Sequence, residues 1–513
     1  MKETGKVYII GAGPGDPGLI TLRAIQCLRE ADVVIYDQLV NPEILCHAEK
    51  KPRLIDAGKR GGHHTLPQAE INRLLVAEAE AGAVVARLKG GDPFIFGRGG
   101  EEAEILREAG ISFEVVPGIS SAVAVPAYAG IPLTHREHTT SVAFVTGHED
   151  PTKEKSGLDW PTLAGIGTLV FLMGVKNLAE IAANLIRCGK SPDTPAALIR
   201  RGTTPDQEVL TGTLADIAQR ARERRFAPPA ILVVGTVVAL RETLDWYETK
   251  PLFGRGIVVT RPEAQAGEMA ERLGAAGARV IHFPVIRVAE PESWAALDAA
   301  CERLEAYRWL IFTSANGVAF FFRRLRERGG DLRDLKGIRI ATIGPATAAA
   351  VEARGIRVDL VPEAFISEGV VRAFADVDLQ GCRVLLPRAA EARDVIPEGL
   401  TQMGATVDVV TAYRTVRSDA EASTLAPFFA AGKIAALTFT SPSTVTHFLG
   451  IMGPQFHLPS GVKVACIGPV TAAAARKAGL PVDILQERYT IPGLVEAMTA
   501  YFGQAGREPS DRP

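Results

Sequence analysis

Two α/β units in tandem, the second internally duplicated, are what this sequence predicts. Three observations lead there. Short β-branched runs end repeatedly in Gly- and Pro-rich loops that open helical stretches, the alternation of an α/β sheet. The chain has 513 residues, too many for one core. The second half carries the same two motifs twice, in the same order.

The first strand, Val7–Ile10, runs into the loop Gly11–Gly18, read GAGPGDPG. Gly11 and Gly13 let backbone N–H groups approach a ligand without a side chain in the way. The loop nearly matches the dinucleotide fingerprint G-x-G-x-x-G, but Asp16 stands at the third glycine and Pro14 stiffens the turn. A carboxylate facing a pyrophosphate would repel it, so the loop suits a neutral or cationic ligand better than NAD. Further strands are expected at Val33–Tyr36, Val84–Leu88, Ser141–Thr146, Thr168–Met173 and Ile231–Val234. The helices Ile71–Ala81 and Glu101–Ala109 stop at Gly82 and Gly110, each in the C′ role. Three more loops follow strand ends: Gly90–Gly100 (GGDPFIFGRGG), Pro117–Ala122 (PGISSA) and Met173–Gly174. In open α/β sheets ligands gather outside such carboxyl ends.

Residues 246–254 (WYETKPLFG) read as a linker between a unit 1–245 and a unit 255–505, with a polar, disordered tail at 506–513. The second unit opens with a new strand and loop, GIVVTR from Gly256 to Arg261. FTSANGV (Phe312–Val318) returns as FTSPSTV (Phe439–Val445), and IGPAT (Ile343–Thr347) returns as IGPVT (Ile467–Thr471). The second motif of each pair follows a short strand, Ile338–Ile343 or Val462–Ile467, and opens an Ala-rich helix. Two similar lobes with a cleft between them are expected. Ser314 or Asn316 can cap one helix and Ser441 another, and four helix N-termini facing one cleft would bind a polycarboxylate.

Composition excludes several classes. With 47% hydrophobic residues, 23% charged residues and a formal net charge of −2, nothing favours a nucleic-acid partner. The longest apolar runs, Gly165–Val175 and Pro229–Leu240, hold about a dozen residues against the roughly 20 a bilayer span needs, so no membrane partner is expected. The N-terminus enters a strand directly, so no signal peptide and a cytoplasmic location are expected. The six cysteines show no C-x-x-C, and neither His63 and His64 nor His135 and His138 are accompanied by a carboxylate or thiol set, so no metal is expected.

The first unit's wording is specific. GAGPGDPG, YDQLV, GKR, GGDPFIFGRGGEE, VPGISSA and AGIPLTHR, in that order, resemble the tetrapyrrole methyltransferases, with uroporphyrinogen-III C-methyltransferase the nearest family. The resemblance implies a two-lobed α/β fold distinct from the Rossmann type, S-adenosylmethionine as methyl donor and a homodimer through this half. It carries cofactor contacts onto Pro14, Gly90, Gly91, Asp92, Ile95, Ser120, Ser121, Met173 and Gly202. It carries acid–base roles onto Asp37, as the base, and Lys59, as proton donor or partner of a substrate carboxylate. Where the family motif before the methionine begins with Tyr, this chain has Phe171, one hydroxyl fewer. Arg98 and Arg136, with Lys59 and Arg60, are candidates to grip the substrate's carboxylates.

The second unit resembles uroporphyrinogen-III synthase through VVTRP (Val258–Pro262), FTSANGV, IGPAT, AYRT (Ala412–Thr415), FTSPSTV and IGPVTA. This implies two α/β lobes on a two-stranded connector, one lobe formed by the first and last segments and the other by the middle. It also implies ring closure of hydroxymethylbilane with loss of water. Tyr413 is the candidate proton donor, and Arg261, Thr313, Ser314, Asn316, Thr440 and Ser441 are the candidate substrate contacts. Joined, the halves imply a bifunctional enzyme making precorrin-2, for sirohaem or cobalamin. The alternative is a methyltransferase of the same fold acting on a later precorrin, with a non-catalytic tetrapyrrole-binding module behind it.

Overall fold

The computed structural model describes residues 4–58, 66–148, 157–486 and 488–505. They build four five-stranded sheets. The chain divides into two compact units, the first made mainly of residues up to Arg255 and the second of Gly256–Arg272 and Val280–Tyr501.

In the first unit, β1 (Lys6–Gly11), β2 (Val33–Tyr36), β3 (Arg53–Asp56), β4 (Val84–Lys89) and β5 (Ser112–Val116) form an all-parallel sheet in the order β3-β2-β4-β1-β5. The inner strand β1 and its neighbour-but-one β2 are covered on both faces, which explains their apolar runs, while the edge strands β3 and β5 are partly exposed. Tyr8 and Ile10 turn to one side, onto the helix Leu22–Glu30, and Val7 and Ile9 to the other, onto the helices Gln68–Glu80 and Gly99–Glu108. β4 lies between β2 and β1, an insertion that a Rossmann order does not have.

The next sheet is mixed. β6 (Val142–Thr146), β7 (Thr168–Leu172), β8 (Pro195–Arg200), β9 (Glu208–Thr213) and β10 (Ala230–Val234) take the order β6-β7-β10-β8-β9, with only β6 and β7 parallel. β10 stops at Val234 because Gly235 turns at φ 151°, and Thr236–Leu240 continues as a 3-10 helix. The helix Ser121–Tyr128 packs Ala122 and Val125 on this second sheet, so the PGISSA loop joins the two lobes. Residues 246–254, read above as a linker, are folded against the first unit. Tyr247 is buried against Tyr128, with ring centroids 4.8 Å apart, and Trp246 Nε1 donates to the Ala127 carbonyl at 3.0 Å.

The second unit contains β11 (Gly256–Val259), β12 (Arg279–His282), β13 (Ile286–Ala289), β14 (Trp309–Phe312), β15 (Arg339–Thr342), β16 (Arg383–Ala389), β17 (Thr406–Arg417), β18 (Ala436–Phe439), β19 (Lys463–Cys466) and β20 (Ile484–Leu485). One sheet, β12-β11-β18-β19-β20, is formed by the first and last segments; the other, β13-β17-β16-β14-β15, by the middle. Thr260 Oγ1 donates to the Thr438 carbonyl at 2.7 Å and Thr438 Oγ1 to the Val258 carbonyl at 2.8 Å, stitching the two distant segments into one lobe. β13 and the long β17 pair antiparallel. No helix of the described residues is long and apolar enough to cross a membrane.

Two candidate active sites

In the first unit three glycine loops meet back to back at the carboxyl ends of β1, β4 and β5. Gly13 and Gly91 exchange both backbone hydrogen bonds, at 3.1 and 2.7 Å. A Cβ on Gly11 would lie 2.5 Å from the Gly118 nitrogen, and one on Gly118 would lie 2.3 Å from the Gly91 oxygen, so only glycines allow this approach. The second lobe closes in from the far side. A Cβ on Gly202 would strike Val125 at 2.4 Å, and the Asp16 nitrogen donates to Thr203 Oγ1 at 3.2 Å.

Both carboxylates of these loops are already bonded within the protein. Asp92 accepts from the Phe94 nitrogen at 2.8 Å and the Gly118 nitrogen at 3.1 Å. Asp16 accepts from the Gly18 nitrogen at 2.8 Å and from the Tyr128 hydroxyl at 2.7 Å. This corrects the sequence reading of Asp16: its carboxylate caps the turn instead of facing a ligand. The Gly18, Phe94 and Gly118 nitrogens are thereby bonded within the protein. Around them stand apolar side chains that the chain leaves uncovered, from Ile95 at 37% exposed through Ile119, Val123, Met173 and Phe94 to Leu39 at 61%. Met173 is held at φ 59° just past β7 and, with Pro93, Phe94, Phe96, Arg98, Gly99, Gly100 and Glu101, lines a cleft of about 460 Å³. Ser120 caps the helix Ser121–Tyr128 through the Ala122 nitrogen at 3.2 Å, and the Ser121 nitrogen lies 3.5 Å from where a Gly91 Cβ would be. Pro14 is half-buried between Gly13 and Gly15, and a Gly90 Cβ would touch Leu39 at 3.0 Å. This uncovered apolar rim fits a nucleoside carrying an amino-acid chain.

The sequence-predicted residues fare differently. Arg98 lines the cleft and is forked onto Glu101, with bonds of 2.9 and 2.6 Å. Arg136 does not line it; it is exposed on the turn closed by the His135–Thr139 bridge. Phe171 is fully buried and stacks at 6.4 Å on Trp160, so the missing tyrosine hydroxyl would have pointed into the core. Lys59, Arg60, His63 and His64 lie outside the described residues. Among the described residues no group of three or more His, Cys, Asp and Glu is placed to hold a metal.

Asp37 follows β2, its side chain 31% exposed, and its Oδ1 lies 2.6 Å from an Arg87 nitrogen. Arg87 and Lys89 occupy alternate positions of β4 and share one face. Both reach Glu102 Oε1, at 3.1 and 2.8 Å, and Gln68 donates to the same oxygen at 3.0 Å. Burial works against the Glu102 charge, but the two cations outweigh it and hold its pKa below the ordinary value. Burial, helped by Arg87, lowers the Lys89 pKa. Sequence reading missed this buried cluster; charged residues inside a β-branched strand were the available signal.

In the second unit the repeated motifs sit at equivalent places, two in each lobe. Ser314 caps the helix Ala315–Glu327, accepting from the Gly317 nitrogen at 3.0 Å, and Ser441 caps the helix Pro442–Met452, accepting from the Thr444 nitrogen at 3.3 Å. Thr313 and Thr440 are the half-buried residues just before these caps. Gly344 and Gly468, both in extended conformation, start the helices Pro345–Glu352 and Pro469–Lys477. The Tyr413 hydroxyl, on β17, shares a 2.8 Å hydrogen bond with Ser314 Oγ. Burial raises the Tyr413 pKa, while Ser314 and Asn316 pull the other way and lose. The phenol therefore stays protonated at neutral pH. Between the lobes, Gln265 Nε2 donates to Asn316 Oδ1 at 3.0 Å and Gln265 Oε1 accepts from Arg261 at 3.3 Å. Arg261 Nε is buried without a hydrogen-bond partner.

Comparison with known proteins agrees with this division. The family model of tetrapyrrole (corrin/porphyrin) methylases matches residues 6–218, and that of uroporphyrinogen-III synthase HemD matches residues 267–496. A porphyrin biosynthesis protein HemD of Ruminiclostridium josui is 40% identical over 504 residues, 98% of this chain and 99% of that protein. An S-adenosyl-L-methionine-dependent uroporphyrinogen III methyltransferase of Methanosarcina barkeri is 59% identical over 246 residues, 48% of this chain and 96% of the relative. A uroporphyrinogen-III C-methyltransferase of Bacillus subtilis is 42% identical over 362 residues, 70% of this chain and 74% of the relative.

Proposed function

We infer the function from kinship: the chain belongs to the tetrapyrrole methylase family over its first half and to the uroporphyrinogen-III synthase family over its second. On that premise residues 255–505 close hydroxymethylbilane to uroporphyrinogen III with loss of water. Residues 1–245 then methylate that product at C-2 and C-7 to give precorrin-2, the precursor of sirohaem or cobalamin. A cytoplasmic homodimer, paired through the methyltransferase half, completes the reading. The observation that carries it is the meeting of the Gly13 and Gly91 loops at the carboxyl ends of β1 and β4, with an apolar rim left open around them.

S-adenosylmethionine, when bound, supplies a methyl carbon made electrophilic by the sulfonium. Pro14, Gly90, Gly91, Asp92, Ile95, Ser120, Ser121, Met173 and Gly202 would hold it by backbone contact and apolar cover. The pyrrole carbon is its own nucleophile, so the chain's tasks are alignment and removal of one proton from the methylated macrocycle. Asp37, half exposed at the end of β2, accepts that proton. Lys59 answers it as proton donor or as a grip on a substrate carboxylate, with Arg98 at the cleft, and Arg136 on the exposed turn outside it, as further grips. Arg98 must then exchange its fork on Glu101 for the substrate.

In the second half Tyr413 gives its phenolic proton to the departing hydroxyl, so that water leaves, and takes a proton back afterwards. Arg261, Thr313, Ser314, Asn316, Thr440 and Ser441 hold the carboxylates around it, with the capped helix ends supplying N–H groups.

One incubation of the full chain with hydroxymethylbilane and labelled S-adenosylmethionine tests the whole reading. A product of isomer type III carrying two labelled methyl groups is expected. Type I isomer alone would remove the synthase and leave a tetrapyrrole-binding module. Unmethylated uroporphyrinogen III would instead send the methyltransferase to a later substrate.

A further inference from the structure

The buried cluster behind Asp37 has a geometry that stability does not require. Arg87 is 1% exposed and Glu102 fully buried, yet the cluster ends on Asp37, which reaches solvent. Buried ion pairs stabilise a fold weakly, because desolvation of the charges cancels most of their attraction. What such a chain of bonds does deliver is direction. Arg87 contributes one guanidinium nitrogen to Asp37 at 2.6 Å, another to Glu102 at 3.1 Å and a third to the Leu88 carbonyl at 3.2 Å. A planar fork held at three points leaves its Asp37-facing nitrogen no freedom to swing. Glu102 is itself pinned by Lys89 and Gln68 on the same oxygen. The register supports this. Ile35 pairs with Arg87, and the Asp37 nitrogen donates to the Leu88 carbonyl at 3.2 Å, so backbone and side chain hold Asp37 from the same strand.

We propose that Arg87 is the positioning residue of the methyltransferase, aiming the Asp37 carboxylate at the substrate from behind, with Glu102, Lys89 and Gln68 fixing its guanidinium. The proposal rests on the reading of Asp37 as the base. Arg87 does not touch substrate; it acts through Asp37. Lys and Arg are not equivalent here, because an ammonium at the Arg87 position satisfies Glu102 but offers no second, rigidly spaced nitrogen to Asp37.

The test uses the full chain and three variants: Arg87→Lys, Asp37→Asn and the pair together. Methyl transfer to uroporphyrinogen III gives kcat and KM, titration with S-adenosylmethionine gives its Kd, and ring closure by the second half reports that the chain is intact. Arg87→Lys is expected to lower kcat by about tenfold or more, the order at which a misplaced acid–base group is felt, with KM and Kd changed by less than about threefold. In the Asp37→Asn background the same substitution is expected to change kcat by less than about twofold, because residues acting as one unit are not additive. An unchanged kcat in Arg87→Lys, a loss that appears in Kd, or a loss repeated in full on top of Asp37→Asn overturns the positioning role. An unchanged kcat in Asp37→Asn alone instead overturns the base itself. Should Arg87→Lys fail to fold, Glu102→Gln, which keeps the shape but loosens the guanidinium, is held to the same pattern: a kcat loss that vanishes when Asp37 is Asn.

Discussion

The site of the first unit is backed by buried charge, and the site of the second is built from hydroxyls. Behind Asp37 stand Arg87, Lys89 and Glu102, all buried. Beside Tyr413 stand Ser314 and Asn316, both neutral. The difference follows from the direction of proton flow. A base that accepts a proton from carbon must be aimed, and a fixed guanidinium behind it does that. A phenol that must give a proton has to keep it until the substrate arrives. Burial does that by raising its pKa, and a cation alongside would undo the effect.

The sharpest break of this comparison is Asp37→Asn. It is expected to lower methyl transfer by about 100-fold or more, the usual contribution of a general base, and to leave ring closure within about twofold. Labelled methyl incorporation and isomer analysis on one sample read both numbers, and equal losses in both reactions would erase the contrast. Next comes Asp92→Ala, which frees the Phe94 and Gly118 nitrogens. Removing a charged acceptor of two backbone bonds costs about 2 kcal/mol, so the Kd for S-adenosylmethionine is expected to rise by roughly 30-fold in a binding titration. An unchanged Kd would mean that Asp92 does not shape the cradle.

Tyr413→Phe is expected to slow ring closure by about tenfold and to spare methyl transfer. The pH profile sharpens the point. The active form is the protonated phenol, and its pKa is raised, so activity should persist above the ordinary phenol value of about 10 and fall only beyond it. A decline in ring closure that begins well below pH 10 and is absent in Tyr413→Phe would show that burial does not protect the proton.

Much of this was legible in the sequence, and the gaps have physical causes. β1, β2 and β4 were visible because their backbones carry buried β-branched runs, whereas the edge strands β3 and β5, half-exposed and more polar, were not read; the duplicated FTS and IGP motifs marked the two lobes because a short polar turn must start each helix. Ser441 was read correctly as a cap, and of the two candidates Ser314 and Asn316 it is Ser314 that caps. Asp16 was misread because sequence shows that a carboxylate is near a loop but not whether the loop's own N–H groups bind it. Trp246 and Tyr247 were read as linker because an aromatic pair in a Pro-containing stretch gives no sign of its docking partner, Tyr128. Arg87, Lys89 and Glu102 were missed because their meaning depends on a contact between a strand and a helix. Gln265 was missed for the same reason, across two lobes.

Gln265 also offers the smallest and most discriminating prediction. It touches Arg261 in its own lobe and Asn316 in the other, beside the cap that holds Tyr413. A single neutral hydrogen bond contributes about 1 kcal/mol, so Gln265→Ala is expected to change ring closure by no more than about fivefold. If the bond only ties the lobes together in the free protein, its loss opens the cleft and appears as a raised KM with kcat preserved. If it orients Asn316 against the reacting phenol, kcat falls and KM holds. Steady-state rates with hydroxymethylbilane separate the two, and methyl transfer by the first unit, which lacks this bond, is the internal reference that must not move.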